Sequence, residues 1–540
     1  MVESKWFFFF LFFACSSFTF AQQQTYFVAF KDKASNSFSI TQPEQFLTAK
    51  ALQRRLKCKV VIDEKDLPVS SAYITQIQST GAQLVYPVKW LNGVVVRSDA
   101  TVKSQIAALS FVQSTDQSVK FRTTSSSSTQ QTLFTQSFSQ CHADQSFRQN
   151  DMLGMVKMKS DGYNGSGVLI AITDDGFLHV DTMKAFEGLY NNNQMLDTWD
   201  IVDSDKDAYS QGGGHGSSVF SILAGSLTDQ FSGPGQGADF ILFRTEDTGS
   251  ESPLEELNWI RAAEMADSLG VDIIQVSLGY NTFDDSSLDY TLSDLNGKTS
   301  YISRGADVAA TRGIVVVVSA GNGGNDGFWN KILCPADAKG ILSVGAVNAS
   351  EDRASFSAIG YSSDGRVKPE VMAMGASVSY INYATGHIAQ GSGTSFASPL
   401  ISGLCAGLMQ AYPELTHEEL IQAIKYSADR FEEPNPYYGY GIPDYERASD
   451  FARLLLNRES ESVFPNPFGS HVYIKIREDE VGYLLNWKLY TVTGDLVGEG
   501  DIQTANNLVN LFSTGDVFPA GLYCLRTSCN GHFSTFKLIK

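Results

Sequence analysis

Residues 168–176 read Val168-Leu169-Ile170-Ala171-Ile172-Thr173-Asp174-Asp175-Gly176, an apolar run that ends directly in two acids. A short apolar run of this kind is typical of a strand buried on both faces of a parallel sheet. Similar runs follow at 239–243, 271–277, 314–319 and 340–346, and helical stretches alternate with them at 216–224, 254–269 and 394–410. This alternation predicts an α/β domain over residues 141–457, with three layers and a parallel sheet covered on both faces.

Polar side chains stand where these segments meet. In an open parallel sheet, functional groups gather beyond the carboxyl ends of the strands. Asp174 ends the first strand, His215 follows three glycines at the start of a helix, and Asn322 follows the strand at 314–319. Ser395 lies in Gly393-Thr394-Ser395-Phe396-Ala397-Ser398-Pro399, and we expect it at a helix start because proline is tolerated only near the first turn.

An acid, an imidazole, an amide and a serine are the groups that acyl transfer needs. A rigid carboxylate orients an imidazole, and a histidine with a near-neutral pKa serves as a general base. An amide donates to a developing oxyanion, and a helix N-terminus offers N–H groups to the same atom. Taken alone, the Asp174 and His215 segments are better explained by a turn or a helix cap, and turns or caps also account for the other two. The ordered set of all four on one sheet favours a catalytic site.

The motifs Asp174-x-Gly176, His215-Gly216-Ser217-x-Val219, Ala320-Gly321-Asn322 and Gly393 to Pro399 resemble those of the subtilisin-like serine peptidases, the subtilases of peptidase family S8. The resemblance implies that Ser395 is the nucleophile, His215 the general base and then acid, and Asp174 the group that orients the imidazolium. It implies an oxyanion hole formed by Asn322 and the Ser395 N–H. The stretch Ser277-Leu278-Gly279 resembles the family's substrate-binding edge, which pairs with an extended peptide.

Two positions depart from the family pattern. Asp175 replaces the usual small residue and is a rival for the role of Asp174, which we prefer because it is the residue followed by x-Gly. Ser218 stands where many members carry a second histidine that the triad does not use.

Calcium is common in the family. The candidate ligands are Asp203, Asp205 and Asp207, although alternating acids in a solvated loop explain them as well. No other metal or cofactor is predicted.

The N-terminal part divides into three predicted segments. Residues 6–14 are apolar, too few to cross a bilayer, which takes about 20 residues. With Lys5 before them and small residues at 19 and 21, they predict a signal peptide over residues 1–21; a lipoprotein with lipidated Cys15 is the weaker alternative. Residues 22–121 form a small α+β unit that resembles the inhibitory propeptide of subtilases. Residues 122–140 are a Ser/Thr-rich linker. Exposed polar segments of this kind are preferred sites of proteolysis, and we expect the enzyme itself to cut this one.

Residues 460–540 contain short apolar runs between Gly and Asn turns, which predicts a small β-sandwich. The start at 463–467 (Val-Phe-Pro-Asn-Pro) and the end at 536–540 are similar to type IX secretion sorting domains of Bacteroidota. That resemblance implies contact with the type IX secretion machinery and a protein that is secreted or attached to the outer cell surface. Cys524 and Cys529 are either a disulfide across a terminal hairpin or two buried thiols.

Charge and motif order exclude several function classes. The formal net charge of −19 argues against nucleic acids and anionic membranes as partners, and no transmembrane anchor is predicted. A lipase or esterase needs a Gly-x-Ser-x-Gly elbow and the order Ser, Asp, His, whereas the order here is Asp, His, Ser. The sequence therefore predicts a secreted, autoprocessed serine endopeptidase that cleaves extended polypeptides through an acyl-enzyme. The alternative is a catalytically inactive binding or adhesion protein of the cell surface that retains the subtilase fold.

Overall fold

The computed structural model describes residues 23–116, 144–469, 471–513 and 518–540. The predicted signal peptide and the predicted 122–140 linker lie outside the described residues, as do the domain boundaries expected at 121 and 140. Within the described residues the chain forms three successive units. Each unit has a core of its own, but the first unit packs on the second, and Phe464 of the third unit belongs to a core of the second.

The N-terminal unit is an antiparallel sheet with helices packed against it. Its elements are β1 (Gln24–Phe30), α1 (Ala49–Lys57), α2 (Ser71–Ser79), β2 (Gln83–Val88), β3 (Gly93–Ser98), α3 (Ala100–Ala107) and β4 (Val112–Thr115). The strand order is β2-β3-β1-β4. Helix α1 begins at Ala49, where the Thr48 side chain caps it by accepting a hydrogen bond from the Ala51 N–H.

In the residues that the structure describes, the middle unit contains a seven-stranded parallel sheet and two smaller, two-stranded sheets, eleven strands in all. Its strands are β5 (Leu169–Asp174), β6 (Met195–Asp200), β7 (Ser226–Leu227), β8 (Phe231–Ser232), β9 (Asp239–Arg244), β10 (Ile273–Val276), β11 (Val315–Ser319), β12 (Leu342–Val347), β13 (Val371–Met374), β14 (Val378–Ile381) and β15 (Ile388–Gly391). The order in the large sheet is β13-β12-β11-β10-β5-β9-β6, while β7 pairs with β8 and β14 with β15.

The helices of the middle unit cover both faces of this sheet. They are α4 (Phe147–Asp151), α5 (Met155–Ser160), α6 (Glu187–Asn191), α7 (His215–Ala224), α8 (Pro253–Leu269), α9 (Tyr301–Thr311), α10 (Thr394–Ala411), α11 (His417–Ser427) and α12 (Tyr445–Leu456). Side chains of β5 alternate between the faces: Ile170 and Ile172 pack with α7 and α10, whereas Leu169 and Ala171 pack with α8 and α9. The predicted three-layer architecture is confirmed.

The N-terminal unit lies against α8 and α9. Phe27, Tyr86 and Trp90 belong to the same apolar core as the inner faces of these two helices. Tyr86 donates from its hydroxyl to Asn258 Oδ1 at 2.5 Å, and the Trp90 N–H donates to Glu264 Oε1 at 2.8 Å. The N-terminal sheet thus forms a further layer on one face of the middle unit.

The C-terminal unit is a sandwich of two antiparallel sheets around its own core, as predicted. Its strands are β16 (Ser462–Phe464), β17 (His471–Lys475), β18 (Leu484–Thr491), β19 (Leu496–Gln503), β20 (Leu508–Ser513), β21 (Leu522–Cys529) and β22 (His532–Ile539). The sheet orders are β16-β17-β20 and β19-β18-β21-β22. In none of the three described units is a helix both long and apolar enough to cross a bilayer.

The two C-terminal cysteines are free thiols, so the disulfide alternative is wrong. Both lie on β21, five positions apart, which puts their side chains on opposite faces of the sheet. At ~3.3 Å per residue their Cα atoms are roughly 16 Å apart, while a disulfide needs about 4.4–6.8 Å. Cys529 is buried in the sandwich core and Cys524 is half-buried on the other face.

Candidate active site

The predicted acid, histidine and serine come from elements that meet at one edge of the parallel sheet. Asp174 is the last residue of β5, His215 the first of α7 and Ser395 the second of α10. His215 Nδ1 lies 2.8 Å from Asp174 Oδ1. The His215 ring stacks on Phe396, the neighbour of Ser395, with ring centroids 6.2 Å apart. The structure therefore places His215 in contact with Asp174 and against the residue that follows Ser395, although these positions lie far apart in the sequence.

The second acid, Asp175, occupies a different place. Its carboxyl accepts a hydrogen bond from the Gly216 N–H at 3.2 Å and lies against the backbone of Gly213, where a Cβ atom would stand 1.8 Å from Asp175 Oδ2. A Cβ on Gly216 would likewise come within 2.7 Å of the Asp174 Cβ. The glycines around His215 thus let the loop approach both acids closely, and it is Asp174 that contacts the imidazole.

Charge and burial act in opposite directions on His215. Burial disfavours the charged ring, but the charge of Asp174, the hydrogen bond to it and the charge of Asp175 outweigh burial and raise the pKa of His215 to about 9. Burial and the neighbouring Asp174 charge raise the pKa of Asp175 to about 7. The pair of acids therefore stabilises an imidazolium, the state that forms when this histidine accepts a proton.

The Ser277 side chain forms a hydrogen bond to the helix that carries Ser395. Pro399 is the sixth residue of α10, deeper in the helix than the first turn in which the sequence placed it. Proline has no N–H for the carbonyl four residues earlier, which here is that of Ser395. Ser277 Oγ donates to this carbonyl instead, at 2.9 Å, and Ser277 is only 2% exposed.

A buried amide that the sequence analysis missed completes this connection. Gln275 on β10 is fully buried, and its Nε2 donates to Ser277 Oγ at 2.8 Å and to Ser398 Oγ at 2.9 Å. Ser402 Oγ donates to Gln275 Oε1 at 2.6 Å. Buried polar groups are expected to be paired in this way. These hydrogen bonds connect the start of α10 to the sheet. The one signal of this network in the sequence is an amide side chain, Gln275, within the apolar run 271–276.

Asn322 is held with its amide nitrogen towards Ser395. Its Oδ1 accepts hydrogen bonds from the Thr394 N–H at 2.8 Å and from Thr394 Oγ1 at 3.0 Å. A Cβ on Gly393 would lie 2.9 Å from Ser395 Oγ, 3.7 Å from Asn322 Nδ2 and 3.8 Å from the Ser395 nitrogen. Glycine at 393 therefore leaves open a space that is bordered by the serine oxygen and two N–H donors, which suits an oxyanion.

The predicted substrate-binding edge follows β10. The side chains of Ser277 and Leu278 are buried, the latter in the core shared with α8 and α9, and Gly279 is half-buried. The segment therefore offers its main chain, and not its side chains, on this side of the site.

The three candidate calcium ligands do not converge. Asp203 Oδ2 pairs with Arg244 at 2.6 Å, and Asp205 Oδ1 accepts from the Asp207 N–H at 2.8 Å. Asp207 Oδ1 accepts from the N–H groups of two following residues at 3.1 Å. Because each carboxylate is used in a local turn or an ion pair, these residues do not fit a calcium site. Within the described ranges, the group of three potential ligands within 4.8 Å of one another is Asp174, Asp175 and His215.

Comparison with known proteins identifies the family. Residues 165–441 match the Subtilase family of peptidase S8, residues 25–133 the peptidase S8 propeptide domain of Bacteroidota, and residues 462–540 a secretion system C-terminal sorting domain. The chain belongs to the subtilase family and is a serine-type endopeptidase with a propeptide. The type IX sorting domain indicates export, with the product secreted or attached to the cell surface.

Three of the relatives are peptidases from Bacillus species. Subtilisin DY of Bacillus licheniformis is 28% identical over 295 residues, which cover 54% of this chain and 94% of that protein. Subtilisin NAT of Bacillus subtilis subsp. natto is 27% identical over 317 residues, 57% of this chain and 74% of that protein. The serine protease AprX of Bacillus subtilis is 29% identical over 314 residues, 53% and 66% respectively. The crystal structure of MycP1 with the N-terminal propeptide removed aligns with a TM-score of 0.45 and 23% identity, over 56% of this chain and 96% of that one.

Proposed function

We propose that this endopeptidase cleaves extended polypeptides through Ser395, His215 and Asp174, and that it is made as a zymogen that processes itself. The carrying observation is the 2.8 Å contact between His215 Nδ1 and Asp174 Oδ1, beside the helix whose second residue is Ser395. The Ser395 hydroxyl attacks the peptide carbonyl while the far nitrogen of His215 takes its proton and then gives it to the leaving amine. Water, deprotonated by the same histidine, then hydrolyses the acyl-enzyme.

The negative charge of the tetrahedral intermediates falls in the space left by Gly393. Asn322 Nδ2 and the Ser395 N–H are the proposed donors to this oxygen. The hydrogen bonds from Thr394 to Asn322 Oδ1 support the role, because they hold the amide in place before substrate arrives. Asp174 keeps His215 oriented and stabilises its charged form.

Substrate binds as an added strand along 277–279 in this proposal. The buried side chains of Ser277 and Leu278 support it, since they leave the main chain of the segment as the surface to which a peptide can pair. In this binding mode the enzyme recognises mainly the main chain of the peptide, so extended peptides of many sequences can bind.

The N-terminal unit acts as the inhibitor from its seat on α8 and α9. Two arginines of α1 reach a buried acid of α8: Arg54 and Arg55 contact Asp267 at 2.6 and 2.8 Å. An inhibitor held by such contacts stays bound after the chain is cut. We assign that cut to the 122–140 linker and to the enzyme's own site.

Labelling with a fluorophosphonate probe tests this function. The full chain, Ser395→Ala and the matched control Ser392→Ala are labelled and digested, and the modified peptide and the linker fragments are read by mass spectrometry. We expect the label on Ser395 in the wild type and in Ser392→Ala. In Ser395→Ala both the label and the cut within 122–140 should be lost. A folded, propeptide-free wild type that takes no label would overturn the mechanism and favour the binding or adhesion alternative.

A further inference from the structure

A leucine fills the gap between the two segments that flank the proposed oxyanion space. A Cβ placed on Gly279 would lie 2.8 Å from the Leu333 Cβ, and one placed on Gly321 would lie 2.8 Å from the Leu333 Cγ. Gly279 ends the proposed substrate-binding edge, and Gly321 directly precedes Asn322. Leu333 therefore packs against both backbones at once, and glycine at both positions makes room for it.

Main-chain hydrogen bonds fix Leu333 in this gap. Its N–H donates to the Ala320 carbonyl at 3.0 Å, on one side. On the other side, Tyr280 and Cys334 exchange hydrogen bonds, at 2.8 Å from the Tyr280 N–H and 3.1 Å from the Cys334 N–H. Because the segment is bonded to both walls, the Leu333 backbone cannot leave the gap without breaking these contacts. Its side chain is half-buried, so part of it still faces solvent.

The position of the gap decides which substrate atoms enter it. In the proposed function, the residue before the scissile bond, P1, places its carbonyl oxygen at the Asn322 and Ser395 donors and its backbone along 277–279. A P1 side chain that enters the protein from this position meets the gap between 277–279 and 319–322, where Leu333 lies. Among the atoms nearest to the two glycines are the Leu333 side chain, the Cys334 carbonyl and the Ala358 Cβ, and none carries a charge.

We propose that Leu333 is the floor of a short, apolar P1 pocket and restricts this endopeptidase to cleavage after small, uncharged residues such as alanine. The proposal rests on the proposed function, because it takes the oxyanion donors and the 277–279 edge as assigned there. Large aromatic or charged P1 side chains would have to displace Leu333, whose backbone is fixed on both sides.

The test compares succinylated tetrapeptide p-nitroanilides that differ only in P1, with alanine, leucine, phenylalanine or lysine, on the propeptide-free enzyme. We expect the wild type to prefer alanine over phenylalanine by at least about tenfold in kcat/KM. A few methylene groups in a hydrophobic pocket are worth roughly 10- to 200-fold in discrimination, so Leu333→Ala should shift the Phe/Ala ratio towards phenylalanine by about that factor. Leu292→Ala, a change of an exposed leucine, is the matched control and should leave the ratio unchanged.

Two further measurements keep the test decisive. If Leu333→Ala does not fold, Leu333→Met retains the volume on a more flexible, unbranched chain and should still shift the ratio in the same direction by a smaller factor. Sequencing the bonds that the wild type cuts in a denatured protein mixture should show small residues at P1. Equal cleavage after alanine and phenylalanine by the wild type, or an unchanged ratio in both variants, would overturn the role of Leu333. A wild type that cleaves none of these substrates and takes no fluorophosphonate label would instead overturn the proposed function, and this inference with it.

Discussion

The two faces of the central sheet are covered in different ways. Helices α7 and α10 cover one face with an apolar core that is completed within the α/β unit and the strand that follows it. Helices α8 and α9 cover the other face, and there the core continues into the N-terminal unit through Phe27, Tyr86 and Trp90. The proposed catalytic histidine and serine begin the helices of the first face. The fold thus places the proposed catalytic residues on one face of the sheet and the propeptide on the other.

Buried charges join the N-terminal unit to the second face. Asp267 on α8 is fully buried and contacts Arg54, Arg55 and Lys89 of the N-terminal unit. Burial opposes its ionisation, but the charges of Lys89, Arg54 and Arg55 outweigh burial and hold the pKa of Asp267 below its ordinary value. When the N-terminal unit leaves, water replaces these partners. An apolar surface of the same area would have no such compensation.

A change on the catalytic face should give the largest effect. We expect Asp174→Asn to lower kcat by about 10⁴-fold, because the imidazole loses the acid that sets its tautomer and stabilises its charge. Because self-processing should slow as well, the linker of this variant is cut with a trace of wild-type enzyme; retention of the N-terminal unit, followed by gel filtration, should then not change. A loss of both activity and retention would show that the two faces are not independent.

A change on the opposite face should do the reverse. Asp267→Ala leaves two arginines and a lysine without their buried partner, a loss of about 3–5 kcal/mol when one member of such a pair is removed. We therefore expect the processed N-terminal unit to dissociate about 10²- to 10³-fold more easily, seen as a shorter lag before full activity. The kcat of the released enzyme should equal that of the wild type. Glu351→Ala, which removes an acid from an exposed ion pair, is the control and should keep the lag. An unchanged lag in Asp267→Ala would contradict the role of this charge cluster.

The smallest expected effect is a shift in pH dependence. His215 must be neutral to accept the serine proton, so kcat/KM should rise with pH towards the raised pKa of about 9. Asp175 contributes negative charge to that shift, and Asp175→Asn removes it. The pKa of His215 should therefore fall, and the acid limb of the profile should move to lower pH by no more than about one unit, because Asp174 contributes more to the shift than Asp175. Asp181→Asn changes an exposed acid and serves as the control. A limb that stays in place, or moves to higher pH, would contradict the electrostatic account.

Local signals explain what the sequence was able to predict. An apolar run predicts the buried strand β5, and two glycine-rich motifs predict the starts of α7 and α10. The predicted positions agree with the structure to within one residue. Edge strands β6 and β13 were missed, because half-exposed or very short strands lack a clear apolar pattern. The disulfide alternative was wrong because Cys524 and Cys529 lie on the same extended strand. Five residues along a strand separate the two side chains and place them on opposite faces of the sheet.

The residues that the sequence could not assign depend on distant partners. The proposed role of Leu333 depends on its contacts with Gly279 and Gly321, which lie on other segments of the chain. Gln275 is recognisable as important only when Ser398 and Ser402 of α10 are seen to bond with it. Asp203, Asp205 and Asp207 have the spacing of a calcium loop, but Arg244 and local N–H groups take their oxygens. Such contacts belong to the tertiary fold and leave no local pattern.

The central claim is that Ser395 carries the acyl group, and trapping the acyl-enzyme tests it most directly. An activated peptide ester is mixed with the propeptide-free enzyme, quenched with acid during turnover, and the digest is analysed by mass spectrometry, with Ser395→Ala beside the wild type. Esters acylate faster than they deacylate, so the intermediate should accumulate with a burst of leaving group. The account predicts the acyl mass on the peptide that contains Ser395, and neither burst nor adduct in Ser395→Ala. An acyl group on any other residue, or ester turnover that survives in Ser395→Ala, would contradict it.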